Sequence, residues 1–266
     1  MSLSYIYEVF MYPEIDLGFL GKLRLMTVMA AIGIIVMLLL VRKETKKVEK
    51  ASPFREGAYI FPKLFMAAFG GYFGALLYDA AFHAIEYGYF RLEGISFYGG
   101  LIGGVITVYI AMLVMPSYTS FTRLEWLDRL TVPFVCFHFF GRIGCFLSGC
   151  CYGKETDSVF GMYFPDQPEF GVFHHGNKVF PTQLYEALAL ACIAALLFWV
   201  LKKHRFMNYL ILYPVFRFFI EFLRGDDRGS TGIYLSPAQI TSIVLIIIPI
   251  VYYIKLIIIR RQEKRT

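Results

Sequence analysis

Seven stretches of about 20 mostly apolar residues divide this chain of 266 residues, and nothing else in it constrains the fold so strongly. They run over 20–41, 59–82, 95–115, 126–147, 182–201, 206–223 and 237–259. As a helix rising about 1.5 Å per residue, each is long enough to cross a hydrocarbon core about 30 Å thick. Lipid offers no hydrogen bonds, so a spanning segment must satisfy its backbone internally. The expected fold is an all-α integral membrane protein of about seven transmembrane helices. The charged fraction agrees, at 17% against roughly a quarter in soluble domains. The first stretch is not expected to be a cleavable signal, since a polar segment precedes it and no small-residue cleavage site follows. A single polytopic domain over 1–266 is the expected organisation, with 149–181 as its longest loop.

Loop charges orient the spans. Lys and Arg number fifteen in 42–55, 117–125, 202–205 and 255–266, against seven in the alternate segments and near the start of the first span. The positive-inside rule then places the N-terminus outside and the C-terminus in the cytoplasm of a multi-pass cell-membrane protein. The net charge of +6 lies between apolar runs rather than on one polar face, so a nucleic-acid partner is not expected.

Three arginines break the apolar runs: Arg142 in CFHFFGRIGCFL, and Arg217 and Arg224 in YPVFRFFIEFLRGDD. A charge at membrane depth costs a few kcal/mol on insertion scales, so such residues face protein-lined cavities and mark functional sites. The anion at hand in a bilayer is a phospholipid headgroup. A structural ion pair between Arg217 and Glu221 is the competing explanation for one of them. Helical spacing puts His138, Arg142 and Cys145 on one face, and Tyr213, Arg217, Glu221 and Arg224 on another. Asp79, His83 and Glu86 make a third stripe. The charge-derived orientation gathers all three at the outer side, which suggests an outward-opening, positively charged cavity. Glycines cluster at Gly99, Gly100, Gly103 and Gly104, and again from Gly141 to Gly153. They serve either close helix packing or the approach of backbone amides to a phosphate. The five cysteines contain no CxxC pair, so neither a zinc ribbon nor a secreted disulfide framework is indicated, and no cofactor is expected.

Taken in order, these blocks resemble the prolipoprotein diacylglyceryl transferases, bacterial integral-membrane enzymes that lipidate the cysteine of a lipobox. The likeness runs through YPEID at 12–16, GISFYGGLIGG at 94–104, GRIGCFLSGCCYG at 141–153, FPTQLYE at 180–186 and FRFFIEFLRGDD at 216–227. It implies a seven-helix body with a small outward-facing head that includes 149–181. It implies transfer of the diacylglyceryl group of phosphatidylglycerol to a prolipoprotein thiol, with release of glycerol phosphate. Arg142 and Arg217 correspond to catalytic arginines, while Arg224, Glu221 and Tyr213 complete the sixth-span pattern. Gln183 and Glu186 fall in the bracing block, and Gly99, Gly141 and Gly153 of these blocks are candidates for substrate binding on the backbone-to-phosphate reading of the glycines.

The departures fall on the thiol-activating side. Tyr98 stands where the family places a histidine, Cys145 where it places an asparagine, and Cys150 where it places an acid. Phe180 replaces a second histidine, and Met26 stands where a tyrosine is expected in the first span. Cys145, Cys150 and Cys151 are open to three readings: structural thiols or one disulfide, nucleophiles or redox-active thiols, or soft-metal ligands. His138, one turn from Arg142, is either a replacement base or a packing histidine. Two alternatives to the family reaction remain: a paralogue that keeps the lipid donor with a different acceptor, and a non-catalytic phospholipid-binding protein. The sequence leaves the oligomeric state open.

Overall fold

The computed structural model describes residues 14–16, 22–49, 56–92, 94–115, 121–164, 177–225 and 231–264. Among them are seven helices long and apolar enough to cross a membrane. These are α1 (Leu25–Glu49), α2 (Glu56–Tyr87), α3 (Phe97–Val114) and α4 (Arg123–Leu147). Helix α5 (Thr182–Ala195) continues into a π-helical turn at Leu196–Val200. Helix α6 (Arg205–Ile220) tightens into a 3-10 turn at Glu221–Leu223, and α7 (Pro237–Glu263) completes the set. The chain is a multi-pass membrane protein of the all-α class.

The helices match the expected spans within a few residues except at the first. Helix α1 begins at Leu25 rather than residue 20, because Lys22–Arg24 forms a strand, β2, paired antiparallel with β1 (Glu14–Asp16). Arg24 Nε reaches Glu14 Oε1 across that ribbon at 3.4 Å. At their far ends α1 and α7 run beyond their apolar stretches into turns carrying Lys46 and Lys47, and Arg260 and Arg261. Cations there complement the exposed carbonyls of a helix C-terminus. Helix α7 starts sharply: Ser236 caps it, Gln239 returns the bond to the Ser236 amide, and Pro237 fills the first position.

The chain divides into two compact units, with boundaries inside α1, α4 and α6. The first takes the described residues within 1–39, 131–202 and 215–226. Helices α1 and α4 meet closely in it: a Cβ on Gly33 would lie 3.0 Å from the Phe140 side chain, and one on Gly144 would lie 3.4 Å from Met26 Cα. A short ribbon, β3 (Met162–Tyr163) with β4 (Lys178–Val179), is anchored by an apolar cluster of Phe146, Phe164 and Val179. Residues 165–176 of the expected head lie outside the described residues.

The second unit takes the described residues within 40–130, 203–214 and 227–266. Its backbone seam is α2 against α3, where Gly70, Gly71 and Gly74 face Gly99, Gly100, Gly103 and Gly104. A Cβ on Gly74 would stand 2.5 Å from the Gly99 carbonyl oxygen and 2.9 Å from Gly103 Cα, closer than real side chains come. Lipid supplies no hydrophobic drive between helices, so such small-residue contact is what lets backbones approach and gain dispersion energy. Tyr78 then ties α2 to α7, donating to the Pro237 carbonyl at 2.9 Å and meeting Thr241 Oγ1 at 2.6 Å.

Candidate active site

In the first unit, α4, α5 and the end of α6 bring charged side chains into a buried cluster. Glu186, one turn into α5, is fully buried, and its Oε1 accepts Arg142 Nη2 at 2.8 Å. His138, a turn before Arg142 on α4, places Nε2 3.7 Å from the same oxygen. Arg217 pairs with Glu221 at 2.6 Å, Nη2 to Oε2, across one helical turn. Arg142, Arg217 and Arg224 are all at least 95% buried. The charges of Arg142, Arg217, His138 and Arg224 all bear on Glu186. Three guanidiniums and two carboxylates among the described residues share this buried setting, where an anion would be held strongly. Each guanidinium offers five donors in a fixed fork, so one carboxylate partner orients it without exhausting it.

The chain after α4 is woven onto this cluster by backbone pairing. The Gly153 amide donates to the Phe180 carbonyl at 2.8 Å and the Lys154 amide to the Leu223 carbonyl at 2.7 Å. Gly153 thus bridges to Arg224, and a Cβ there would sit 2.6 Å from the Leu223 oxygen. Gly153 is glycine because two backbones close on it. Gly141, by contrast, has nothing within 4 Å of a would-be Cβ, so space is open on its own side of α4. Gln183 Nε2 donates to the Cys150 carbonyl at 2.6 Å, and Thr182 Oγ1 to the Cys151 carbonyl at 2.9 Å. The sulfurs of Cys145, Cys150 and Cys151 lie within 4.8 Å of one another, none in a disulfide. Hydrogen bonds from the Cys145 and Cys150 thiols, helped by the Arg224 and Arg142 charges, hold Cys151 well below the ordinary thiol range despite burial. The same thiol hydrogen bonds push Cys150 up.

Tyr98 and Tyr213 belong to the second unit. Tyr98 is buried, and its hydroxyl meets Ser242 Oγ at 2.7 Å. Ser242 spends its single proton on the Ala238 carbonyl at 2.7 Å, so Tyr98 is the donor in that pair. Tyr213 is fully buried, stacked on Tyr209 at 5.6 Å and edge-on to Tyr98 at 5.9 Å. Gly99 sits in the α2–α3 seam. Of the third stripe, His83 pairs with Asp79 at 3.2 Å, while Glu86 is exposed.

Sequence reasoning singled out Arg142 and Glu186 separately but not as partners, and it missed Thr182 and Ser242. Thr182 opens α5 beside Gln183, a position where a hydroxyl often bonds backbone. Ser242 carried no signal, since a serine within an apolar helix declares no partner.

A multi-pass membrane body with a buried cluster of arginines and carboxylates is the class that fold and site define. The family model for prolipoprotein diacylglyceryl transferase matches residues 15–255, and the chain belongs to that family. Among similar proteins is the phosphatidylglycerol–prolipoprotein diacylglyceryl transferase of Clostridium tetani, 40% identical over 165 residues, which are 59% of this chain and 62% of that protein. Another is phosphatidylglycerol–prolipoprotein diacylglyceryl transferase 2 of Clostridium perfringens, 35% identical over 166 residues, 60% of this chain and 62% of the relative. A Clostridium botulinum protein of the same name is 31% identical over 225 residues, 79% of this chain and 85% of its own. The chain thus spans about 62% of the length of the first two relatives.

Proposed function

We propose that this chain transfers the diacylglyceryl group of phosphatidylglycerol to a prolipoprotein cysteine thiol. The observation that carries the reading is the set of three buried guanidiniums, Arg142, Arg217 and Arg224, gathered about Glu186 in one unit. In the reaction the acceptor sulfur bonds to the glyceryl carbon as that carbon's bond to a phosphate oxygen breaks. The electron pair leaves on glycerol phosphate, and the thiol proton goes to a base. Negative charge therefore grows on the phosphate, and preorganised cations aimed there supply the main stabilisation. Arg142 and Arg217 take the catalytic roles, fixed in place by Glu186 and Glu221, with Arg224 binding beside them. Gln183 and Gly153 hold the framework, and Gly141 leaves room for the headgroup. His138 is assigned the base, since Tyr98 as placed gives a proton rather than takes one. Tyr98, Gly99 and Tyr213 lie in the second unit, where Tyr98 holds Ser242 through its hydroxyl and all three serve the packing of that unit's helices rather than a step of the transfer.

The same proposal sets the N-terminus outside and the C-terminus in the cytoplasm, on the fifteen-to-seven loop charge asymmetry. Impermeant thiol reagents should label a cysteine introduced at Ser158 on intact cells, and one at Lys46 only after permeabilisation. Labelling in the reverse sense would overturn that orientation.

A second reading keeps the lipid donor and changes the acceptor, and the donor role of the Tyr98 hydroxyl favours it. The test is purified protein with phosphatidylglycerol vesicles and a lipobox peptide, assayed for thioether by mass spectrometry. Thioether on the cysteine peptide, absent from its serine counterpart, supports the prolipoprotein reading. Glycerol phosphate released without peptide modification shifts support to the second, and neither product refutes both.

A further inference from the structure

The reaction as proposed leaves the three-thiol cluster without a task. Cys145 closes the last turn of α4, and Cys150 and Cys151 follow a tight reversal through Gly149, whose φ is 65°. Cys151 itself adopts a φ of 64°, a left-handed conformation that is strained for a residue with a side chain. The hydrogen bonds from Gln183 and Thr182 to the Cys150 and Cys151 carbonyls hold the reversal in this shape. Two left-handed residues and two side-chain clamps turn both thiols back toward Cys145, and the three sulfurs close to within 4.8 Å of one another.

Chemistry narrows what such a trio can do. A sulfur that took the diacylglyceryl group would become a thioether, which has no leaving tendency comparable to phosphate, so it could not pass the group on. One disulfide would use two sulfurs and leave the third without purpose. Metal coordination uses all three. With a metal–sulfur bond of about 2.3 Å, a trigonal set places its sulfurs about 4.0 Å apart, a contraction of less than about 1 Å from the spacing seen. No histidine, acid or further cysteine among the described residues joins the group. Structural zinc asks for four protein ligands, whereas three thiolates alone suit a soft monovalent ion. The Arg224 and Arg142 charges that bear on Cys151 offset the surplus negative charge of three thiolates around one cation.

We infer that Cys145, Cys150 and Cys151 form a three-thiolate site for a soft monovalent metal ion, copper(I) being the fitting member of that class. The thiols themselves take no part in the transfer step, but their loop is clamped by Thr182 and Gln183, less than two turns before the Glu186 that orients Arg142.

The test titrates the full-length, reduced protein in detergent with copper(I) buffered by a competing chelator. The expected result is about one ion per chain, with a shell of three sulfurs at about 2.3 Å by X-ray absorption. Cys145→Ser, Cys150→Ser and Cys151→Ser should each weaken binding more than about tenfold, while Cys136→Ser and Cys192→Ser leave it unchanged. Gel filtration and thermal melting check that each variant is folded. Should a serine variant misfold, wild-type protein answers instead: copper should shield three of its five cysteines from maleimide. Copper left on the chelator, shielding of fewer than three thiols, or binding that survives the serine changes would overturn the inference. Preferential uptake of zinc with an added nitrogen or oxygen ligand would overturn the assignment to a monovalent ion.

Discussion

Two blocks of this protein, one in each unit, handle the apolar setting of the membrane in opposite ways. In the first, charge is buried and answered by charge: Arg142 by Glu186, Arg217 by Glu221, with His138 and Arg224 close by. In the second, the GISFYGGLIGG block carries no charged residue and joins α2 to α3 through glycine backbones. Both blocks contribute to the family likeness, yet one is electrostatic and the other steric. A shared signature therefore does not imply a shared kind of work. The first arrangement suits binding an anion, because paired charges can re-pair with a ligand; the second suits holding helices at a fixed distance.

That contrast can be broken from either side. The largest stability effect is expected at Glu186, fully buried against Arg142. Glu186→Ala should cost about 3–5 kcal/mol, since it leaves a guanidinium buried without its carboxylate. Chemical unfolding in detergent measures this; a loss below about 1 kcal/mol would mean that the pair is solvated in practice.

Next comes the seam. Gly103→Leu should destabilise by about 1–3 kcal/mol or more, because the side chain must displace α2 backbone. Unchanged melting of this variant would show that α2 and α3 are not in the close contact described.

A smaller effect is expected at Tyr98. Tyr98→Phe removes one buried hydrogen bond, to Ser242, and should cost about 1 kcal/mol while leaving most turnover intact. His138→Asn, in contrast, should slow transfer and shift its pH profile toward higher pH, where the acceptor thiol ionises unaided near about 8.5. If the two variants exchanged these behaviours, the base would lie in the second unit.

Much of this was legible in the sequence, for physical reasons. Lipid admits few solutions, so apolar length alone located seven helices; their ends were less legible, and the start of α1 misled because the Lys22–Arg24 strand answers to Glu14–Asp16 rather than to lipid. The Arg217–Glu221 pair was readable because partners at i and i+4 share a helix face. The Arg142–Glu186 pair was not, since its members come from α4 and α5 and periodicity reports only on a single helix. Gly99 shows the other limit. A glycine marks close approach but not of what, and beside Tyr98 the approaching group is the backbone of α2. The cysteines carried no recognisable spacing, because a reversal through two left-handed residues, rather than a helix or strand, brings them together.

The most direct test of the central claim, that the first unit handles the phosphate, is the rate of glycerol phosphate release from phosphatidylglycerol. It should be measured for wild type, Arg142→Ala, Arg217→Ala, Arg217→Lys and Tyr98→Phe, each purified and shown to be folded. A loss of about 10²–10³-fold or more is expected for either alanine variant, as for removal of a preorganised charge-stabilising donor. Arg217→Lys should stay strongly impaired, because an ammonium cannot present the planar fork, and Tyr98→Phe should lie near wild type. Near-normal release from both alanine variants, or a larger loss at Tyr98 than at the arginines, would contradict that claim.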